Sequence, residues 1–161
     1  MAVDFYSHRL PHARVDQAIY FVTWRIRSGL AELSPAERDL AASSLAYFDG
    51  SRYVLHAYVV MNDHVHVIVE PYPDFRLERI LHSWKSFSAK RIGQDRRQVG
   101  AIWQDEYFDR VLRDEREYIQ KRDCILGNPV RRWPALDQYR WCWAIGHERR
   151  SAAERAGRPP H

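Results

Sequence analysis

Two strand-like runs held two residues apart do most to limit what this chain can become. Residues 52–61 (RYVLHAYVVM) and 64–70 (HVHVIVE) are rich in β-branched and aromatic side chains and flank the turn-prone pair Asn62-Asp63. Such spacing predicts an antiparallel hairpin. Upstream, IYFVTWRI at 19–26 predicts another strand, ended by Ser28-Gly29. Between them, Ser34-Pro35-Ala36-Glu37 has capping-box spacing with proline at the first helical position, and Leu40, Ala41, Leu45 and Phe48 follow at helical intervals until Asp49-Gly50.

Beyond the hairpin, Pro71 and Pro73 close the strand, and Asp74 is placed to cap a long helix whose Leu77, Ile80, Leu81, Trp84 and Phe87 recur at three and four. A short strand is expected around 107–112. Asp114-Glu115-Arg116-Glu117 is a second capping signature, and the helix it opens should stop near Gly127-Asn128-Pro129, because glycine and proline both oppose continuation. The order β-α-β-β-α-β-α predicts an α+β fold: a ferredoxin-like antiparallel sheet (β-α-β-β-α-β) with helices on one face, plus an additional C-terminal helix.

A chain of 161 residues suits one domain, taken as 1–146, with a flexible tail at 147–161. Hydrophobic residues at 45% and aromatics at 13% exclude wholesale disorder. No run approaches the roughly 18 uncharged apolar residues of a membrane span, and no signal sequence opens the chain, so a cytoplasmic protein without a membrane partner is expected. Cys124 and Cys142 are too few for a disulfide framework and lack zinc-site pairing, so both read as reduced thiols.

The formal charge of +4 says little; its distribution says more. Residues 76–97 carry seven basic side chains against Glu78 and Asp95. Interleaved with His82, Trp84 and Phe87, Lys85, Lys90 and Arg91 suit a nucleic-acid backbone, though an ordinary solvated helix face has the same composition. On the second hairpin strand, His64 and His66 point to one side while Val65, Val67 and Val69 point to the other. Two imidazoles on one face could share a divalent cation, or could be ordinary partly exposed histidines. Asn128, one turn beyond Cys124, offers an amide oxygen as a further ligand; a helix-ending residue before proline is the plain alternative.

Four segments in order, MNDHVHVIV from Met61, HSWKSFS from His82, IWQDEYFDRV from Ile102 and ILGNPV from Ile125, resemble the single-tyrosine HUH transposases, and among them the REP-associated tyrosine transposases of bacteria. The similarity spans about 20–143. It implies a DNA-binding protein of DNA transposition that cleaves and transfers single-stranded or hairpin DNA, acting as monomer or homodimer. In that family two histidines and an Asn or Gln oxygen bind Mg or Mn, and a helix-borne tyrosine attacks the DNA phosphate. His64 and His66 match the metal histidines, Asn128 matches the amide ligand, and Trp103-Gln104 matches the family pattern, either to position DNA or the sheet edge or, equally, as a buried tryptophan beginning a strand. The nucleophile position of the family's Tyr-Ile-x-x-Asn-Pro pattern holds Cys124. Tyr118, the nearest tyrosine, stands six residues earlier and about 120° around the helix, where it should pack with Ile125. Cleavage is therefore expected to be lost unless Tyr118 substitutes. Two other classes remain: a histidine-triad-type nucleotide hydrolase, whose third histidine would fall at Ile68, and a non-catalytic nucleic-acid-binding module stacking bases on Tyr53 and Tyr58.

Overall fold

A computed structural model of the chain describes residues 18–146; the expected tail at 147–161, with His8, His12 and His147, lies outside the described residues. The elements run β1 (Ile19–Ile26), α1 (Pro35–Tyr47), β2 (Tyr53–Val60), β3 (His64–Pro71), α2 (Leu77–Arg96), β4 (Trp103–Leu112), α3 (Glu115–Arg132) and β5 (Cys142–Ala144). The five strands form one antiparallel sheet in the order β4-β1-β3-β2-β5. Its first four strands have the ferredoxin-like arrangement, and the hairpin puts β3 at the centre, with Thr23 opposite His66 on one side and Val59 opposite it on the other.

Strand alternation sorts the side chains into two cores. Val22, Trp24, Val65, Val67 and Val69 meet α1 and α2 on one face. Ile19, Phe21, Ala57, Val59 and Ile68 meet Tyr118 and Ile125 of α3 on the other. The additional helix thus covers the face that α1 and α2 leave bare. The capping box forms as its sequence predicts: Glu37 N–H donates to Ser34 Oγ and Ser34 N–H to Glu37 Oε1. Asp114 likewise caps α3 by accepting from the Glu117 N–H at 2.8 Å.

Three expectations need correction. Asp74 does not cap α2, whose N-cap is Arg76 without a side-chain hydrogen bond. Strand β4 begins at Trp103, not near 107, because it pairs with almost all of β1 across a bulge after Trp24. Helix α3 does not stop at 127–129 but continues through Pro129 to Arg132. A proline within a helix removes the N–H that would reach the carbonyl four residues back. That carbonyl, Ile125 O, accepts instead from the Cys142 thiol at 3.6 Å, and Pro129 O takes the Trp133 N–H at 2.8 Å. The thiol comes from β5, an edge strand that the sequence pattern does not announce.

Candidate functional site

His64 and His66 stand on the α3 face of β3, their rings 4.7 Å apart and nearly perpendicular, while the valines between and beyond them are buried on the opposite face. Their Nδ1 atoms are both engaged. His64 Nδ1 lies 2.7 Å from Asp63 Oδ1, and a carboxylate can only accept, so this nitrogen carries the proton. His66 Nδ1 lies 2.6 Å from Thr23 Oγ1, its cross-strand neighbour, and the hydroxyl can accept in the same way. With the Thr23 hydroxyl accepting, the proton of each ring sits on Nδ1 and Nε2 is the nitrogen that can coordinate. Phe21 stacks on His66 at 5.3 Å and 21°, fixing the ring plane. Burial foremost, then the fields of His64, Arg25, Arg131 and Lys121, holds the pKa of His66 down at about 3 rather than near 6.5. The ring is a neutral imidazole over the ordinary pH range, which is the form that coordinates metals.

Helix α3 supplies the facing wall. Lys121 places its ammonium 5.0 Å from the Phe21 ring centroid, and Lys121 and Arg131 both lie close enough to act on His66. Residues 121, 124, 128 and 131 are spaced by three, four and three, so Cys124 and Asn128 share the stripe that these two cations carry to the histidines. Asn128 is half-buried. Among the described residues no cluster of three or more His, Cys, Asp or Glu could hold a metal ion. Cys124 is partly exposed, and Arg131 folds back along the helix to donate to its carbonyl at 2.7 Å, with Sγ 3.6 Å away. Gly127 makes this possible, since a Cβ there would sit 2.9 Å from Arg131 Nη1.

Tyr118 lies elsewhere. Its ring is buried with Ile125, and its hydroxyl is 2.9 Å from His56 Nδ1, whose Nε2 is 3.1 Å from Glu70 Oε1. The β-bulge between Leu55 and Ala57 inserts His56 as an extra residue on β2 and turns it toward α3. No sequence spacing linked His56 to these partners.

The basic residues of α2 do not form one face: Lys85 and Arg91, six positions apart, point about 120° from one another. Lys90 and Arg91 are exposed. Lys85 instead ties α2 to β4, its ammonium donating to Gln104 O at 2.6 Å and Asp105 O at 3.2 Å, and burial lowers its pKa. Trp103 is a core residue, edge-on to Trp24 and donating to Ser88 Oγ at 2.9 Å, and so leaves no ring surface for DNA. Gln104 bridges to Ile26 O at 3.2 Å and holds the same sheet edge. The sequence reading missed Thr23, Asp63, Lys121 and Arg131. Asp63 is adjacent to His64, and the two cations recur at helical intervals around Cys124, so those three had a local signal; Thr23 had none.

A ferredoxin-like sheet with a His-x-His pair on its central strand and a helix across that face defines the class, an HUH-type protein. The chain belongs to the IS200-like transposases: the family model described as "Transposase IS200 like" matches residues 21–122. Its function is accordingly transposase-like, in DNA transposition. Among solved structures, a REP-associated tyrosine transposase bound to a REP hairpin shares the fold, with a TM-score of 0.65 at 20% identity over 78% of this chain and 75% of that one. A protein of Deinococcus radiodurans R1, described as a transposase candidate, aligns at 21% identity and a TM-score of 0.49, over 68% of this chain and 90% of that one. No curated protein matches the chain. No helix among the described residues is long and apolar enough to cross a membrane.

Proposed function

We propose that this protein binds single-stranded or hairpin DNA and one Mg or Mn ion, and that it no longer cleaves the strand because Cys124 occupies the nucleophile position. The observation that carries this reading is the engagement of both Nδ1 atoms, by Asp63 and Thr23, which makes the two Nε2 atoms the nitrogens to coordinate an ion on one face of the sheet. Outer partners of this kind fix the tautomer of metal-binding histidines. His64 and His66 would hold the ion with the Asn128 amide oxygen. When bound, the ion supplies Lewis acidity toward a phosphoryl oxygen.

The chain's own groups do the rest. Lys121, Arg131 and Arg25 surround the histidines with positive charge that attracts a DNA phosphate. Lys90 and Arg91 add sequence-independent contacts from the far face. Cys124 ends in a thiol, shorter than a phenol by several ångströms, on the stripe where a tyrosine would face the histidines. Tyr118 keeps its hydroxyl on His56, inside the core.

The test has two arms. Titration of the protein with Mn2+ should show one site, lost in His64→Ala and weakened in Asn128→Ala. In a denaturing gel with labelled hairpin DNA and Mn2+, the unaltered chain should give no covalent band and Cys124→Tyr should give one. A covalent band from the unaltered chain that disappears in Tyr118→Phe would overturn the assignment of position 124.

A further inference from the structure

A second group of titratable side chains lies on the opposite face of the sheet from the histidines. A cleft of about 500 Å³ opens between α2 and β4. Glu78, His82 and Lys85, spaced by four and three, enter it from one stripe of the helix, and Asp105 and Tyr107 enter it from one face of the strand. Buried Leu81 and Trp103 give it an apolar floor. The chain has only two other lysines, Lys90 and Lys121, and neither lines this cleft.

Two N–H bonds of Lys85 are spent on the Gln104 and Asp105 carbonyls, which holds the side chain still and leaves the third position on Nζ for the cleft. Burial lowers its pKa against the opposing field of Asp105, so the amine is neutral at a lower pH than an exposed lysine. A tie between helix and strand explains the two hydrogen bonds. It does not require an open cleft at the nitrogen, lined by an imidazole and two carboxylates. Those are the parts of a Schiff-base site. A neutral amine adds to an aldehyde carbon, an adjacent acid protonates the resulting hydroxyl, and water leaves. The lysine ammonium and the aldehyde thus become a protonated imine and one water. The imine keeps one N–H for a backbone carbonyl, and its positive charge stays among Glu78 and Asp105. The same carboxylates repel an anionic aldehyde, which selects an uncharged one.

We propose that this cleft binds small uncharged aldehydes covalently, with Lys85 as the amine and His82 as the acid that releases water, independently of the metal and DNA reading above. In the experiment the full chain is incubated with propanal, the imine is fixed with cyanoborohydride, and labelling of each lysine is followed by peptide mass spectrometry. At neutral pH Lys85 should be labelled about tenfold faster than Lys90, less than the full effect of a positioned acid group. Its rate should saturate with propanal concentration, as binding in a cleft requires. The lead over Lys90 should shrink as the pH approaches about 10, where exposed lysines also lose their protons. His82→Gln, at an exposed side chain, should slow labelling of Lys85, leave that of Lys90 unchanged and keep the melting temperature. Equal labelling of the three lysines, a Lys85 rate that rises linearly without saturation, or Lys85 labelled more slowly than Lys90 overturns the site. A Lys85 rate untouched by His82→Gln overturns the role of the imidazole. Should that variant fail to fold, the ranking and the saturation in the unaltered protein decide.

Discussion

Strand β3 presents two chemically different surfaces, and the helices above them differ in number. Toward α1 and α2, Val65, Val67 and Val69 join Trp24, Trp84 and Tyr53 in an apolar core, where a chain of hydrogen bonds leaves only Trp24 Nε1 unsatisfied among the buried side-chain polar atoms of these residues: Trp103 donates to Ser88, Ser88 to Trp84 O, Trp84 Nε1 to Tyr53 and Tyr53 to Leu45 O. Toward α3 the same strand presents His64, His66 and Glu70. Two helices close one face, but a single helix cannot cover five strands. The uncovered strip beside α3 is where imidazoles stay reachable and where cations from the helix can gather. Stability and function are therefore separated by a period-two alternation along one strand.

The largest effect should come from breaking the apolar face. Trp84→Ala removes a ring 1% exposed, in contact with Trp24 at 5.8 Å and Tyr53 at 5.2 Å, and takes away the donor to the Tyr53 hydroxyl, which keeps only its bond to Leu45 O. It should cost about 3–5 kcal/mol in urea denaturation. Tyr118→Phe tests the polar interior of the other face. By removing the partner of His56 Nδ1 it should cost about 1–3 kcal/mol. If the two losses prove equal, the faces do not differ as described.

A smaller effect is expected from Glu37→Gln, which weakens the link between α1 and α2. The Arg96 hydrogen bond, more than any other influence, holds the Glu37 carboxyl below its usual 4.5, so its stabilisation is complete above that pH and is lost as the pH falls through the lowered value in the fold. The variant should be about 1 kcal/mol less stable at neutral pH and should lose less on acidification than the unaltered protein. Comparing denaturation midpoints at pH 7 and pH 3 checks this. The smallest change in stability should follow His64→Ala, since the ring is partly exposed and packs little: within about 1 kcal/mol of the unaltered protein, yet at least tenfold weaker in Mn2+ affinity. A large drop in melting temperature with unchanged Mn2+ binding would make His64 structural and erase the contrast.

What the sequence determined by itself was local. The hairpin, the β1 strand, both capped helices and the shared face of His64 and His66 follow from periodicity, turn chemistry and capping, which act over a few residues. The resemblance then placed Asn128 and position 124 on one helical stripe by spacing alone. Contacts between distant parts of the chain required the folded structure. Thr23 and His66 are 43 residues apart and meet only because β1 pairs with β3; His56 and Tyr118, 62 apart, meet only because a bulge turns the histidine toward α3. Helix α3 outruns its own stop signal because Cys142, from a strand that no local pattern marks, satisfies the carbonyl that Pro129 leaves unpaired. Gly127 and Pro129 state only the local cost of continuing the helix, and whether it is met depends on a partner that tertiary packing alone can bring.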